Sequence, residues 1–180
     1  MNGRLLGLLL VSIPLTILAA EPPDIRVRDA ITLINNARQT RTEGYFYRSE
    51  AQYRRALEII EQTYGAQSPN LTPALNGLAE LYFDAWRYTE AEALARRSAA
   101  VVEAGLGSDH PLLATALHDL AAIYHVQGQY DKAEPLYMRA LAIRRNALGP
   151  NHPFVFATAA NLDELRRAQN LSTLALRKRR

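Results

Sequence analysis

"HPLLATALHDLAAIYHVQGQYDKAEPLYMRALAIRRNALG", residues 110–149, carries two helical patterns separated by a polar break. Leu117, Leu120, Ala121 and Tyr124 fall on one face of the first pattern, and Leu136, Tyr137, Ala140, Leu141 and Ile143 on one face of the second. That spacing belongs to amphipathic helices, not strands. Between them, in VQGQYD (126–131), Gly128 offers the left-handed conformation that ends a helix. Two nearly identical turns bound the segment, LGSDHP (106–111) and LGPNHP (148–153). In each, a glycine stops one helix and a proline opens the next, where its missing N–H costs nothing. Ser108 or Asp109 is expected to cap the helix that Pro111 starts, as Ser68 does before Pro69 and Asn151 with His152 before Pro153. Pro135 is expected in the first turn of the second helix.

Sliding the chain against itself by 42 residues aligns Gly65, Gly107 and Gly149, and with them Pro69, Pro111 and Pro153. The same offset pairs Leu78 with Leu120 and Leu162, Tyr82 with Tyr124, Ala91 with Ala133, and Glu50 with Glu92 and Glu134. A fixed period over most of a chain marks a stacked array, in which each unit buries its apolar face only against its neighbours. Ala56, Ala79, Ala91, Ala121, Ala133 and Ala140 let neighbouring helices come close, and Tyr53, Tyr82, Tyr88, Tyr124, Tyr130 and Tyr137 are expected to fill the spaces between units.

Residues 110–149 resemble the tetratricopeptide repeat, in the 42-residue form found in kinesin light chains and many bacterial proteins. The pattern His-Pro-x-x-Ala-x-x-Leu, Leu-Ala-x-x-Tyr, Gly-x-Tyr-x-x-Ala-Glu and Leu-Gly runs through them almost unbroken. The preceding unit, about 68–109, departs from it at Trp86, where the family has glycine, and at Ser98, where it has alanine. The first unit, about 26–67, is recognisable mainly in its second helix, and 152–169 resembles a lone first helix acting as a cap. The resemblance implies an all-α fold, a right-handed solenoid of antiparallel helix pairs whose first helices line a concave groove for a peptide or partner protein.

If the family's groove positions carry over, the resemblance places Arg38 and Arg41 of the first unit, Asn76, Glu80 and Phe83 of the second, Thr115, His118 and His125 of the third, and Glu164 and Arg167 of the cap in that groove. Asn76 stands at the first amide of the family's Leu-Asn-Asn-Leu pattern and His118 takes that place one unit later. The second amide place is filled by Asn35, Gly77, Asp119 and Asn161, so a strict asparagine ladder is broken. Arg38, Arg41 and Asn76 together would suit an acidic group or a terminal carboxylate, because arginine offers a planar fork of donors.

The ends and the composition narrow the function. Arg4 precedes an apolar run from Leu5 to Ala20 that closes on small residues before Glu21 and Pro22, the layout of a secretory signal peptide cleaved after Ala20. As a membrane helix the same run would reach about 24 Å at roughly 1.5 Å per residue, short of the roughly 30 Å hydrocarbon core; a retained N-terminal anchor is the alternative. The expected organisation is a signal peptide at 1–20, a linker at 21–25, repeats at 26–169 and a basic tail at 170–180. Without Arg177, Lys178, Arg179 and Arg180 the formal net charge of +3 turns slightly negative, so the body is not basic. Four charges without interleaved aromatics do not build a nucleic-acid surface.

The chain has no cysteine, which removes disulfides and thiol chemistry. His118 and His125 are two helical turns apart, about 10 Å, too far to share one metal ion. No phosphate-cradling glycine loop, nucleophile elbow or His-Glu-x-x-His pair occurs. The expectation is therefore a non-catalytic scaffold without metal or cofactor, periplasmic or secreted, in a bacterial envelope, that holds a protein or peptide partner. Self-association of stacked terminal repeats, and regulation of an enzyme supplied in trans, are the alternatives.

Overall fold

A computed structural model describes residues 25–177, with side chains as far as Leu171; the expected signal peptide, all but the last residue of the linker and the last three residues of the basic tail lie outside the described residues. Among those described there are seven α-helices and no strand. They are α1 (Ile25–Thr42), α2 (Phe46–Tyr64), α3 (Thr72–Asp84), α4 (Tyr88–Leu106), α5 (Pro111–Val126), α6 (Tyr130–Leu148) and α7 (Pro153–Arg177), with a 3₁₀ turn at Pro69–Leu71 before α3. None is long and apolar enough to cross a membrane. Helices pair as α1 with α2, α3 with α4 and α5 with α6, and α7 stands alone as a cap that runs eight residues past the expected end at Gln169.

The curvature follows from which helices meet. The backbones of α1, α3, α5 and α7 come close to the next member of that series, whereas those of α2, α4 and α6 stay apart and meet only through long side chains, Arg97 with Glu61 and Arg139 with Glu103. The layer of first helices is therefore the tighter one and lies on the inside of the curve.

Turn chemistry explains the helix ends. Gly65, Gly107 and Gly149 terminate α2, α4 and α6 at φ between 84° and 93°, a region closed to most side chains. The shorter turns inside each pair use Gly44 at φ 84° and Gly128 at 72°, and between them Trp86 takes the same left-handed conformation at φ 62°. Trp86 is thus a tryptophan doing a glycine's work, at a conformational cost of about 1–2 kcal/mol, with its side chain 80% exposed.

Two expectations are corrected at the helix starts. The cap of α5 is neither Ser108 nor Asp109 but His110, whose Nδ1 accepts the Leu112 N–H at 3.2 Å; His152 does the same for Phe154 at 3.2 Å. An imidazole nitrogen two bonds beyond Cβ reaches the N2 amide once the backbone is extended, as it is at His110. Ser68 does cap the 3₁₀ turn, accepting from Asn70 N–H. Pro135 is the sixth residue of α6, not in its first turn, because the helix already begins at Tyr130; the Asp131 carbonyl consequently lacks its usual helical donor.

The core is a single column of small and aromatic side chains. Ala56, Ala74, Ala91, Ala114, Ala133 and Ala140 are fully buried, and Tyr53, Tyr82, Tyr124 and Tyr137 are at most 3% exposed between units; Tyr88 and Tyr130 are half-buried. A repeating clamp ties one unit to the next. Tyr82 donates to Glu50 at 2.6 Å and receives a bond from Arg54 at 2.7 Å. One period later Tyr124 donates to Glu92 at 2.9 Å and receives one from Arg96. At the last joint Arg166 stands in the tyrosine's place and pairs with Glu134 at 2.7 Å.

Gly77 sits where the Tyr53 ring crosses α3: a Cβ added there would lie 2.4 Å from Tyr53 Cε1 and 2.6 Å from its hydroxyl oxygen. The missing second amide of this unit is therefore steric in origin, since Tyr53 occupies the space. Helix propensity alone would favour alanine at Gly77 by about 1 kcal/mol, but overpacking a buried ring costs about 1–3 kcal/mol. Gly77→Ala should lower the melting temperature, and by less in a Tyr53→Leu background than in the native chain; thermal unfolding of the native chain, the two single variants and the double variant checks this.

Candidate functional site

The inner face is built by α1, α3, α5 and α7. Between α1, α3 and α5 lies an open cleft of about 170 Å³ lined by Arg41, Ala79, Glu80, Phe83, Asp84, His118, Asp119, Ala122 and Ile123. Four of the expected groove residues meet there: Arg41, Glu80, Phe83 and His118. His125 and Glu164 meet in a second recess, nearer the cap, with Tyr130, Tyr137 and Asn161. Arg38 lines a larger apolar hollow with Ile31, Ile34, Tyr64 and Leu112. Asn76 and Thr115 are half-buried and Arg167 is exposed, and none of the three lines these clefts.

The expected arginine pair with Asn76 does not assemble. Arg41 is turned across to α3, where it forms an ion pair with Glu80 and lies 3.5 Å from Asp84 Oδ2, while Arg38 belongs to the apolar hollow. Asn76 keeps its Oδ1 enclosed without a hydrogen-bond partner.

Two side chains of α5 give the cleft its electrostatic character. His118 stands between Arg144 of α6, 3.4 Å from its Nδ1, and Asn161 of α7, 3.3 Å from its Nε2. A guanidinium can only donate, so Nδ1 accepts and the ring proton sits on Nε2; the Asn161 amide, whose Nδ2 stands at 3.3 Å, must then be turned over to offer its oxygen. Burial, reinforced by the Arg144 charge, lowers the His118 pKa to about 4, so the ring is neutral at physiological pH. Asp119 points into the cleft with its Oδ2 enclosed and unpartnered. Burial, with the like charge of Glu80, raises its pKa to about 7 against the opposing pull of Arg144 and Arg41.

The Asp119 carboxyl and Arg144 lie outside the expected set, and the repeat register held a signal for each. Asp119 occupies the second amide place, where Asn161 stands one unit on. Arg144 falls where the earlier units have Ile60 and Val102, both buried, and it is itself only 6% exposed. An arginine at a core register position must find partners, and it donates to Thr158 at 2.6 Å. Thr158 is fully buried where earlier units have Ala74 and Ala116, so the two departures from the pattern answer each other. Among the described residues no group of three His, Asp or Glu side chains could hold a metal ion.

Comparison with known proteins agrees with this architecture. Residues 28–104, 71–144 and 112–177 match the family model described as tetratricopeptide repeat. No curated protein matches the chain. Among solved structures, the nearly identical TPR-like repeats assigned to a kinesin light chain of Podosopora anserina superpose with a TM-score of 0.73 at 23% identity, covering 84% of this chain and 72% of that one. BtubC (BKLC) from P. vanneervenii superposes with a TM-score of 0.71 at 22% identity, covering 78% of this chain and 56% of that one. At such identities the likeness shows the fold alone.

The two shifted groups pull stability in opposite directions. Asp119 binds its proton more tightly folded than unfolded, so its contribution falls as pH rises from about 4 to about 7. His118 binds its proton less tightly folded, so stability is lost as pH falls from 6.5 toward about 4. Asp119→Asn removes only the first effect. Its stability relative to the native chain should improve between pH 5 and pH 8 by on the order of 2 kcal/mol, at 1.36 kcal/mol per pH unit, as read from denaturant unfolding at the two pH values.

Proposed function

We propose that this chain, which belongs to the tetratricopeptide repeat family, is a non-catalytic scaffold that holds a segment of a partner protein along its inner face. The observation that carries this reading is the inner layer itself. Rigid first helices in mutual contact present clefts in which apolar side chains such as Phe83 alternate with charged ones such as Glu80 and Asp84. Preorganised helices spare the receptor the ordering cost of binding, and the mixture of apolar and charged groups supplies both affinity and selectivity. The groove residues fall into separate recesses, so a ligand spanning the inner face would be read at several points, with Arg38, the Phe83 cleft and the His125–Glu164 recess as successive stations.

We further propose that the protein acts outside the cytoplasm, in a bacterial envelope or beyond it. Support comes from the run Leu5–Ala20 with Arg4 before it and small residues at its end; the core, continuous from Ala30 to Leu165, would hold such a chain together without disulfides.

A photo-crosslinking amino acid placed at Phe83 should capture a discrete partner from the native envelope fraction, whereas the same group at Met138, 51% exposed on the outer helix α6, should not. Equal capture from both positions would move the binding surface off the inner face. Amino-terminal sequencing of the protein recovered from fractionated cells should begin at Glu21; a chain beginning at Met1 in the membrane fraction would favour the anchor.

A further inference from the structure

The cleft between α1, α3 and α5 contains a group whose presence packing does not explain. Asp119 has an enclosed Oδ2 with no hydrogen-bond partner, in a family pattern whose usual residue there, an amide, would carry its own donors. A carboxylate offers only acceptors when ionised, and leaving one unmatched costs more than the average hydrogen bond returns. Something that brings donors would remove that cost. The cleft has the shape for it: an apolar floor of Ala79, Ala122 and Ile123, Phe83 at the side, and about 170 Å³ of room, enough for roughly five or six groups the size of water. That is about the bulk of one long unbranched side chain.

We propose that this cleft is the receptor for a single lysine or arginine side chain of the partner segment, its aliphatic stem lying against Phe83 and Ala122 and its cationic head meeting Asp119. The inference rests on the groove reading and adds to it the chemistry of one anchor. Charge on the cleft walls favours it. Glu80, Asp84 and Asp119 are three carboxylates facing one lining guanidinium, Arg41, which is already shared between Glu80 and Asp84. The remaining groups around Asp119 are the neutral His118 on its own helix, Arg144 of α6, which is engaged by Thr158, and the Tyr137 hydroxyl of α6.

The same arrangement makes the anchor sensitive to pH. With a pKa of about 7, Asp119 is about nine-tenths ionised at pH 8 and about one-tenth at pH 6. A cation that requires the carboxylate should bind about tenfold more weakly at pH 6 than at pH 8. His118, with its pKa lowered to about 4, is neutral throughout this interval and does not mimic the effect.

The test uses the folded chain and the lysine side chain alone, as n-butylammonium, cationic over the whole range, followed by two-dimensional NMR. Saturable shifts of the Glu80, Asp119 and Ala122 amides at pH 8 are expected, about tenfold weaker at pH 6 and absent in Asp119→Asn. The carboxyl resonance of Asp119 in the native chain should titrate at a lower pH when n-butylammonium is present, which keeps the test decisive if the variant folds poorly. Equal shifts with n-butanol, a pH-independent affinity, retention in Asp119→Asn, or no saturable response would each overturn the proposal. Resonances that move when the protein alone is concentrated would assign the cleft to the Arg177–Arg180 tail of a second copy and overturn the separate partner. Capture at Phe83 without any n-butylammonium response would leave the groove standing and remove only the cationic anchor; failure of both would remove the groove with it.

Discussion

The contact between successive first helices is the constraint from which the remaining structure follows. Because the backbones of α1, α3, α5 and α7 pack closely in series and those of α2, α4 and α6 do not, the stack must bend, and the bend puts the first helices on its inner face. Close approach on that side demands small or absent side chains, which explains Gly77 beneath the Tyr53 ring and alanine at 74, 79, 114, 116 and 121. The outer helices have more room, and they use it for the glutamates that reach forward to the next unit's tyrosine.

Polarity is unevenly distributed along this stack. The joint between the first two units and the joint between the next two are sealed by tyrosine, leucine and alanine. The joint with the cap contains Arg144, Thr158, His118 and Asn161, a chain of hydrogen bonds buried at a position where earlier joints are apolar. Such a network is favourable only when every member is satisfied, and here each has a partner. Asp119 stands one residue away and has none, which is why it stands out as a group held ready for something outside the chain.

Much of this was legible in the residues. The 42-residue register, the helical faces and the turn glycines gave the pairing of helices and the inner and outer layers, because repetition multiplies a weak local signal. Helix caps were harder: serine and aspartate are the usual capping residues, and nothing local distinguishes Asp109 from His110 until the backbone shows which of them is extended. The start of α6 was also hidden, since Pro135 is so commonly a first-turn residue that its place five residues inside the helix could not be read from its neighbours. Groove membership was legible at the level of helix face, but not the choice of partner. Arg41 was as free as Arg38 on the sequence, and only the crossing of α1 over α3 gives it to Glu80 and Asp84. Arg144 was visible in the register as an arginine among Ile60 and Val102, yet the pattern alone does not say whether such a residue is buried with partners or swings out to solvent.

The substitution of Arg166 for the clamp tyrosine changes the kind of force at the end of the array. In the first two clamps a neutral phenol donates across the joint to a glutamate that an arginine of its own helix also holds; in the last, two full charges meet across the joint at partial exposure, 47% and 30%. Counterions weaken the second kind far more than the first. Ion pairs also cross the earlier joints, Arg97 to Glu61 and Arg139 to Glu103, so in this quasi-one-dimensional stack ionic strength acts on every joint, and only at the cap does it reach the clamp position itself. The cap clamp becomes a latch whose tension is set in part by the surrounding medium.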